Sequence, residues 1–311
     1  MRIVSLLPSA TEIICSLGLE NQLVGVSHEC DYPAGVKALP DVTVSAIPAG
    51  LPSEAIDDMV RKQLQSEQSL YHLKMDVLQK LRPDLIVTQA LCEVCAVSAT
   101  EVEGALCALP NNPALVNLEP MSLVEVFDTI ELVGQATNLQ DHARNVRSQL
   151  EARVAAVVER TNSIAESDKP RVAFLEWIAP LFNAGHWTPE LINMAGGIDC
   201  LGNINTPSRS LGDEELVAAQ PDVLFVGLCG FELPRSLQDL PLLSRIPQWD
   251  ALPCVQQQQL YCCDGNALFS RPGPRLVESL ELMAHTLHPD IHPLPAHLQA
   301  AQRFTAAGEA C

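Results

Sequence analysis

The stretch Leu81-Arg82-Pro83-Asp84-Leu85-Ile86-Val87 is answered later in the chain by Ala219-Gln220-Pro221-Asp222-Val223-Leu224-Phe225. No other feature constrains the fold as much. In both copies a Pro-Asp pair precedes a short apolar run, the pattern of a turn feeding a buried strand. A second echo keeps the same order: Glu12-Ile13-Ile14 ends at Gly18, and Glu190-Leu191-Ile192 ends at Gly196. Each Pro-Asp strand also follows a helix with a carboxylate seven residues before the proline, Asp76 in one half and Glu214 in the other. Repetition in a fixed order implies two similar halves.

Within each half, strand and helix alternate. Arg2 to Leu7, Leu23 to Val26 and Pro83 to Thr88 read as strands. Pro8 onward reads as a helix, with Ser9 as N-cap and Glu12 closing a capping box. A polar helical insertion spans Ser53 to Leu70, and Asp76 to Leu81 is helical. The second half gives strands over Arg171–Leu175, Pro221–Val226 and Leu260–Cys263, with helices over Pro189–Ala195 and Pro274–Leu287. Alternation of this kind predicts parallel sheets covered on both faces.

The middle is different. From Ser122 to about Ser167 no strand pattern occurs, and Val146, Leu150, Val154 and Val157 recur at helical spacing. A helix from Leu139 to Ala165 would be about 40 Å long at ~1.5 Å per residue. The sequence therefore predicts an N-terminal α/β lobe over 1–121, a helical strut over 122–168 and a C-terminal α/β lobe over 169–311. The fold class is α/β, two Rossmann-like lobes joined by one long helix, with a ligand cleft between them beyond the carboxyl ends of the strands. Beyond Pro289 the Pro- and Gly-containing tail is expected to pack weakly.

Composition excludes some partners. The formal charge is −19, from 38 acidic and 19 basic residues, so there is no basic stripe for nucleic acid and no cationic face for anionic lipid. The apolar run at the N-terminus is broken by Pro8 and Glu12, which suits neither a signal peptide nor a membrane span. The 11 cysteines are scattered through a chain too long for a disulfide-stapled module, so free thiols are expected. Both points predict a cytoplasmic protein, or a periplasmic one if the true start lies upstream.

Several stretches, in order along nearly the whole chain, carry a family resemblance. They are Arg2-Ile3-Val4-Ser5-Leu6-Leu7-Pro8-Ser9-Ala10-Thr11-Glu12, Val24-Gly25-Val26-Ser27 with Asp31-Tyr32-Pro33, Leu81 to Leu85, Pro180-Leu181-Phe182-Asn183-Ala184-Gly185, and Arg271-Pro272-Gly273-Pro274-Arg275. The chain resembles the helical-backbone substrate-binding proteins of ABC transporters, closest to the branch that binds cobalamin and iron chelates. The resemblance implies capture of a corrinoid, tetrapyrrole or metal chelate between the lobes, with no catalytic residue and no required cofactor. It also implies that Asp76 and Glu214 dock into the arginines of a membrane permease. As residues alone, the two are equally solvated acids at helix N-termini.

Four groups of residues suit a ligand. Ser27-His28-Glu29-Cys30-Asp31-Tyr32 follows the second strand, offering His28, Glu29 and Tyr32 to a ligand. Cys92-Glu93-Val94-Cys95 follows the third strand. A thiolate pair two residues apart can hold a soft metal, with His28 or Cys30 adding ligands, or can form a reversible disulfide, or can be inert. In the other half, Glu176-Trp177 and Gly185-His186-Trp187 gather two of the three tryptophans. An indole can stack on a planar ligand and a neutral imidazole can coordinate iron or cobalt, or these rings can simply pack the lobe. Phe269 and Arg271 open the last helix, where a guanidinium and backbone N–H groups suit a carboxylate or phosphate. The alternative class is a Cys/His metal protein, or a thiol-dependent enzyme pairing Cys92 or Cys30 with His186. No phosphate loop, nucleophile elbow or HExxH helix is present.

Overall fold

A computed structural model describes residues 1–48, 50–65, 69–89 and 97–311. The chain divides into two compact units: 1–120 with 124–149, and 121–123 with 150–311.

In the first unit the strands are β1 (Ile3–Ser5), β2 (Leu23–Val26), β3 (Thr43–Ser45), β4 (Tyr71–Leu73), β5 (Leu85–Thr88) and β6 (Ala114–Asn117). Among the described residues β2, β1, β5 and β6 lie side by side in that order, all parallel. β1 and β5 are buried along their length, which is why they read as unbroken apolar runs. The helices are α1 (Pro8–Ser16), α2 (Ser53–Gln65), α3 (Met75–Leu81) and α4 (Ala99–Ala108), followed by α5 (Leu123–Ala136) and α6 (Gln140–Thr161). β3 and β4 pair antiparallel on either side of α2, so the polar insertion hangs from a two-stranded ribbon.

The second unit has β7 (Arg171–Trp177), β8 (Phe182–Asn183), β9 (Ile198–Asp199), β10 (Val223–Val226), β11 (Leu260–Cys262) and β12 (Gln302–Arg303). Its helices are α7 (Thr188–Met194), α8 (Asp213–Ala219), α9 (Leu233–Ser236), α10 (Pro253–Gln256) and α11 (Leu276–Leu287). β7, β10 and β11 are parallel and form the centre, and β9 runs parallel to β7 on its far side. β8 and β12 are antiparallel additions. Val172 to Leu175 of β7 and Leu224 to Val226 of β10 are solvent-free, the middle of a core that also takes Leu216, Leu240 and Leu252.

The echo in the sequence corresponds to one repeated clamp. Arg82 and Gln220 each close a helix in the left-handed conformation, at φ 45° and 44°. Arg2 Nε donates to Leu81 O at 2.7 Å, and Arg171 donates from Nε and Nη2 to Ala219 O at 3.2 and 2.8 Å. Asp84 accepts from Arg2 N at 2.7 Å, and Asp222 from Arg171 N at 2.9 Å. An arginine opening the first strand thus ties down the free carbonyl at a helix end, where intrahelical partners run out.

Three expectations are corrected. Ser9 and Glu12 form no capping box: α1 starts at Pro8, with Leu7 as N-cap and no side-chain cap, and both side chains are buried in its first half. Proline at the first helical position already supplies the fixed φ that a helix start needs. The long helix expected over 139–165 is α6, and α5 precedes it as a separate helix, the two parted at Asn138, whose φ is 60°. α6 is about 33 Å long at ~1.5 Å per residue, stopping at Thr161 rather than Ala165. Last, the tail packs firmly: β12 extends the sheet beside β11, and Phe304 is 1% exposed in the core.

Candidate functional site

In the second unit β7 has β10 on one side and β8 and β9 on the other, so the strand order reverses at β7. Ligands of α/β sheets sit beyond the carboxyl end of the strand where that happens. Glu176 and Trp177 occupy that end. Trp177 is half-buried: Nε1 donates to Ala179 O at 3.1 Å, and its ring lies 5.1 Å from the Phe231 ring, tilted by 46°. Phe231 follows the end of β10 and is capped on one face by the Arg235 guanidinium, 4.3 Å from the ring centroid. Beside them Cys229 is exposed and donates its main-chain N–H to Glu176 O at 3.0 Å. Two partly exposed rings with a carboxylate and a thiol at one strand end can hold a flat apolar group and orient its polar edge.

The Gly185-His186-Trp187 turn is fastened to this end. Gly185 N donates to Glu176 Oε1 at 3.3 Å. A Cβ on Gly185 would lie 2.2 Å from Ser208 N, so only glycine lets the two loops approach. His186 has φ 52° and donates its N–H to Thr206 O at 2.6 Å. Burial pushes its imidazole below the ordinary value, keeping it neutral near pH 7. A neutral imidazole at a half-buried position is the form that can accept a hydrogen bond or bind a metal.

Trp187 and Phe269, expected at the ligand, are core residues. Trp187 is 5% exposed and donates Nε1 to Phe269 O at 2.9 Å, while Phe269 is 2% exposed and packs 4.7 Å from Phe174. Arg271 is 5% exposed and donates to Asn266 Oδ1 at 2.9 Å. It precedes α11 instead of opening it, with Pro272-Gly273-Pro274-Arg275 between them.

In the first unit, His28 follows β2. Its Nδ1 lies 2.7 Å from Thr43 Oγ1 and its Nε2 3.1 Å from Glu29 Oε1. The ring sits 5.4 Å from Tyr71, and Tyr32 is 47% exposed after its own turn. Cys30 turns the other way. It is buried, with Sγ 3.1 Å from Thr11 Oγ1, so His28 and Cys30 do not converge on a metal. The segment is a turn, closed by Cys30 N donating to Ser27 O at 2.9 Å, and it sends the two side chains to different partners. Cys92 and Cys95 lie outside the described residues. Among the described residues no group of three or more His, Cys, Asp or Glu side chains is placed to hold a metal ion.

Asp76 and Glu214 both stand exposed in first turns, of α3 and α8, with Asp76 3.6 Å from Lys80. Sequence reasoning missed Phe231 and Tyr71. Each is a single aromatic in a polar stretch, and only the strand order brings Phe231 beside Trp177.

The family model described as periplasmic binding protein matches residues 3–267. The chain belongs to that family. It is 24% identical to an uncharacterized ABC transporter substrate-binding lipoprotein, YvrC, of Bacillus subtilis, over 93% of this chain and 80% of that protein. It is 23% identical to a vitamin B12-binding protein of Vibrio vulnificus, over 90% of this chain and 87% of that one. Among solved structures, the periplasmic heme-binding protein RhuT of Roseiflexus sp. RS-1 superposes with a TM-score of 0.69 at 26% identity, covering 93% of this chain and 98% of that one. The cytoplasmic placement expected from the N-terminus finds no support in these names. Among the described residues no helix is long and apolar enough to cross a membrane.

Proposed function

We propose that this chain is the substrate-binding component of an ABC transporter and captures a planar metal macrocycle, a corrinoid or a heme. The observation that carries the reading is the half-buried Trp177–Phe231 pair at the carboxyl end of the central strands, to which the turn bearing the neutral His186 is tied by Gly185 N donating to Glu176 Oε1. The rings would stack on the macrocycle, and Glu176 and His186 would contact its polar edge or its metal. On the first unit Tyr32, Tyr71, His28 and Glu29 would form a second contact surface. The names of the relatives support this ligand class, as vitamin B12 and heme are what those proteins are said to bind. We infer a binding role without catalysis, and capture outside the cytoplasm as in the relatives named periplasmic.

Asp76 and Glu214 would meet basic patches of the permease. Charge complementarity at two separated points sets orientation and speeds encounter more than it adds affinity. Joint replacement by alanine is expected to slow association with the permease and leave ligand affinity unchanged.

Titration of the reduced, metal-free protein with cyanocobalamin and with hemin, followed by tryptophan fluorescence, tests the ligand class. Saturable quenching by at least one of them at micromolar concentration or below is expected. Absence of saturable quenching by both would overturn the reading.

A further inference from the structure

Phe231 is held from two sides by arginine. On the ring, the Arg235 guanidinium lies 4.3 Å from the centroid, and Arg235 Nη1 is 3.0 Å from Asp239 Oδ1. Phe231, Arg235 and Asp239 follow one another at four-residue steps around α9, the spacing that brings side chains together on one face of a helical turn. Asp239 is 8% exposed, so the carboxylate that holds the guanidinium is itself fixed in the fold. A cation on an aromatic face is attracted by the ring quadrupole, the more so where water is excluded. Trp177 packs against the same ring at 5.1 Å.

On the main chain, Phe231 N donates to Leu228 O at 3.0 Å, and Phe231 O accepts from Asn266 N at 3.1 Å. Asn266 sits in the π-helical turn over Gly265–Phe269, and its Oδ1 accepts from Arg271 Nη2 at 2.9 Å. Arg271 is 5% exposed. A buried guanidinium is tolerated only where hydrogen bonds and charge satisfy it, so its bond to Asn266 is not exchanged for water. The turn is also pressed onto the loop that follows β10: a Cβ on Gly265 would lie 2.3 Å from Leu228 O. Arg271, which the sequence offers to a ligand, thus reaches the strand-end site through Asn266 and the Phe231 carbonyl.

Resting on the function proposed above, we propose that Arg235 and Arg271 are positioning residues for the ligand. Arg235 fixes the Phe231 ring, Arg271 fixes its main chain through Asn266, and neither touches the macrocycle. A ring already held in its bound orientation loses less rotamer freedom when the ligand arrives, and that difference appears as affinity. Arginine suits the ring position because a planar guanidinium lies flat on an aromatic face while its edge bonds a carboxylate. Lysine offers only a point charge there.

The test is calorimetric titration with cyanocobalamin and with hemin on the parent, Arg235→Met, Arg235→Lys and Asn266→Ala, each with and without Phe231→Ala. Asn266→Ala removes the acceptor that Arg271 grips while leaving the buried charge in place. For whichever ligand the parent binds, Arg235→Met and Asn266→Ala are each expected to weaken affinity at least about threefold, and Arg235→Lys to recover part of the loss. In the Phe231→Ala background both losses should shrink to within about 1.5-fold, because a residue that acts through another then has nothing to position. Partial unfolding would lower the number of sites filled, not the affinity of those that remain. Losses that persist beside Phe231→Ala would overturn the proposal, as would parent affinity in Arg235→Met or in Asn266→Ala. In either case capture of a macrocycle would stand. Binding of neither ligand by the parent would instead overturn the proposed function, and this proposal with it.

Discussion

The indole Nε1 of Trp187 donates to the main-chain oxygen of Phe269 across 2.9 Å, inside the core of the second unit. The bond joins the start of α7 to the π-helical turn before α11, and it separates Trp187 in role from Trp177. Trp187 holds two elements together, whereas Trp177 keeps a half-buried face at the strand end.

That difference is measurable as stability. Trp187→Phe keeps the ring but strands the Phe269 carbonyl, and is expected to destabilise by about 1–3 kcal/mol. Trp187→Ala also opens a cavity and should lose about 3–5 kcal/mol. Urea unfolding midpoints check both. A Trp187→Phe midpoint equal to the parent's would contradict the structural role.

The repeated arginine clamp predicts a second effect. Arg171→Ala releases the Ala219 carbonyl at the end of α8, with an expected loss of about 1–2 kcal/mol. Hydrogen exchange should quicken first at Gln220 and Asp222, where helix and strand are tied. Uniform exchange across the unit, with no early opening there, would count against the clamp.

Acid should weaken the fold through two histidines. Burial lowers the pKa of His186, and burial together with His288, Arg160 and His285 lowers that of His292. His292 is 2% exposed, with Nε2 3.2 Å from Thr161 Oγ1. A depressed imidazole is neutral in the native state, and the unfolded chain takes up the proton first, near pH 6.5. Its contribution is complete above that pH and is lost as pH falls through the native pKa. Urea midpoints measured from pH 7.5 to 5.5 should therefore decline, and decline less in His292→Gln. The same slope in both proteins would remove His292 from the account.

The thiols divide by burial. Cys200, Cys254 and Cys262 are each pushed up to about 12, chiefly by burial, and Cys263 is also raised, so they stay protonated at neutral pH. Cys107, Cys229 and Cys311 are exposed. Alkylation follows the thiolate and its access. Iodoacetamide at pH 8 should label the exposed three in the native protein and reach the buried Cys254, Cys262 and Cys263 only in denaturant, as read by peptide mass spectrometry. Native labelling of Cys254 at the rate of Cys229 would contradict the burial shown.

Much of the fold was legible because parallel strands buried on both faces are apolar runs, and the Pro-Asp turns mark where they begin. The repeat even carried its own chemistry, since Arg2 and Arg171 stand at equivalent points. The tail was not legible: Pro293, Pro295 and Gly308 read as loop, and one aromatic, Phe304, is too little signal for a strand pairing. The site was half legible. Trp177, Glu176 and His186 follow strand β7 and could be picked out by position. Nothing in the residues distinguishes an indole facing a ligand from one facing the core, because His186, at φ 52°, reverses the chain between them. Phe231 depends on β10 lying beside β7, a fact of topology and not of local pattern.

The central claim is that Trp177 and Phe231 grip the ligand. Calorimetric titration with cyanocobalamin and hemin on the parent, Trp177→Ala, Phe231→Ala and Trp187→Phe tests it most directly. A buried aromatic anchor is worth about 2 kcal/mol or more at an interface, roughly thirtyfold in affinity. We expect Trp177→Ala and Phe231→Ala each to weaken whichever ligand the parent binds by at least about tenfold, and Trp187→Phe to leave its affinity within about twofold. Unchanged affinity in both Trp177→Ala and Phe231→Ala would contradict the account and move the ligand away from the end of β7.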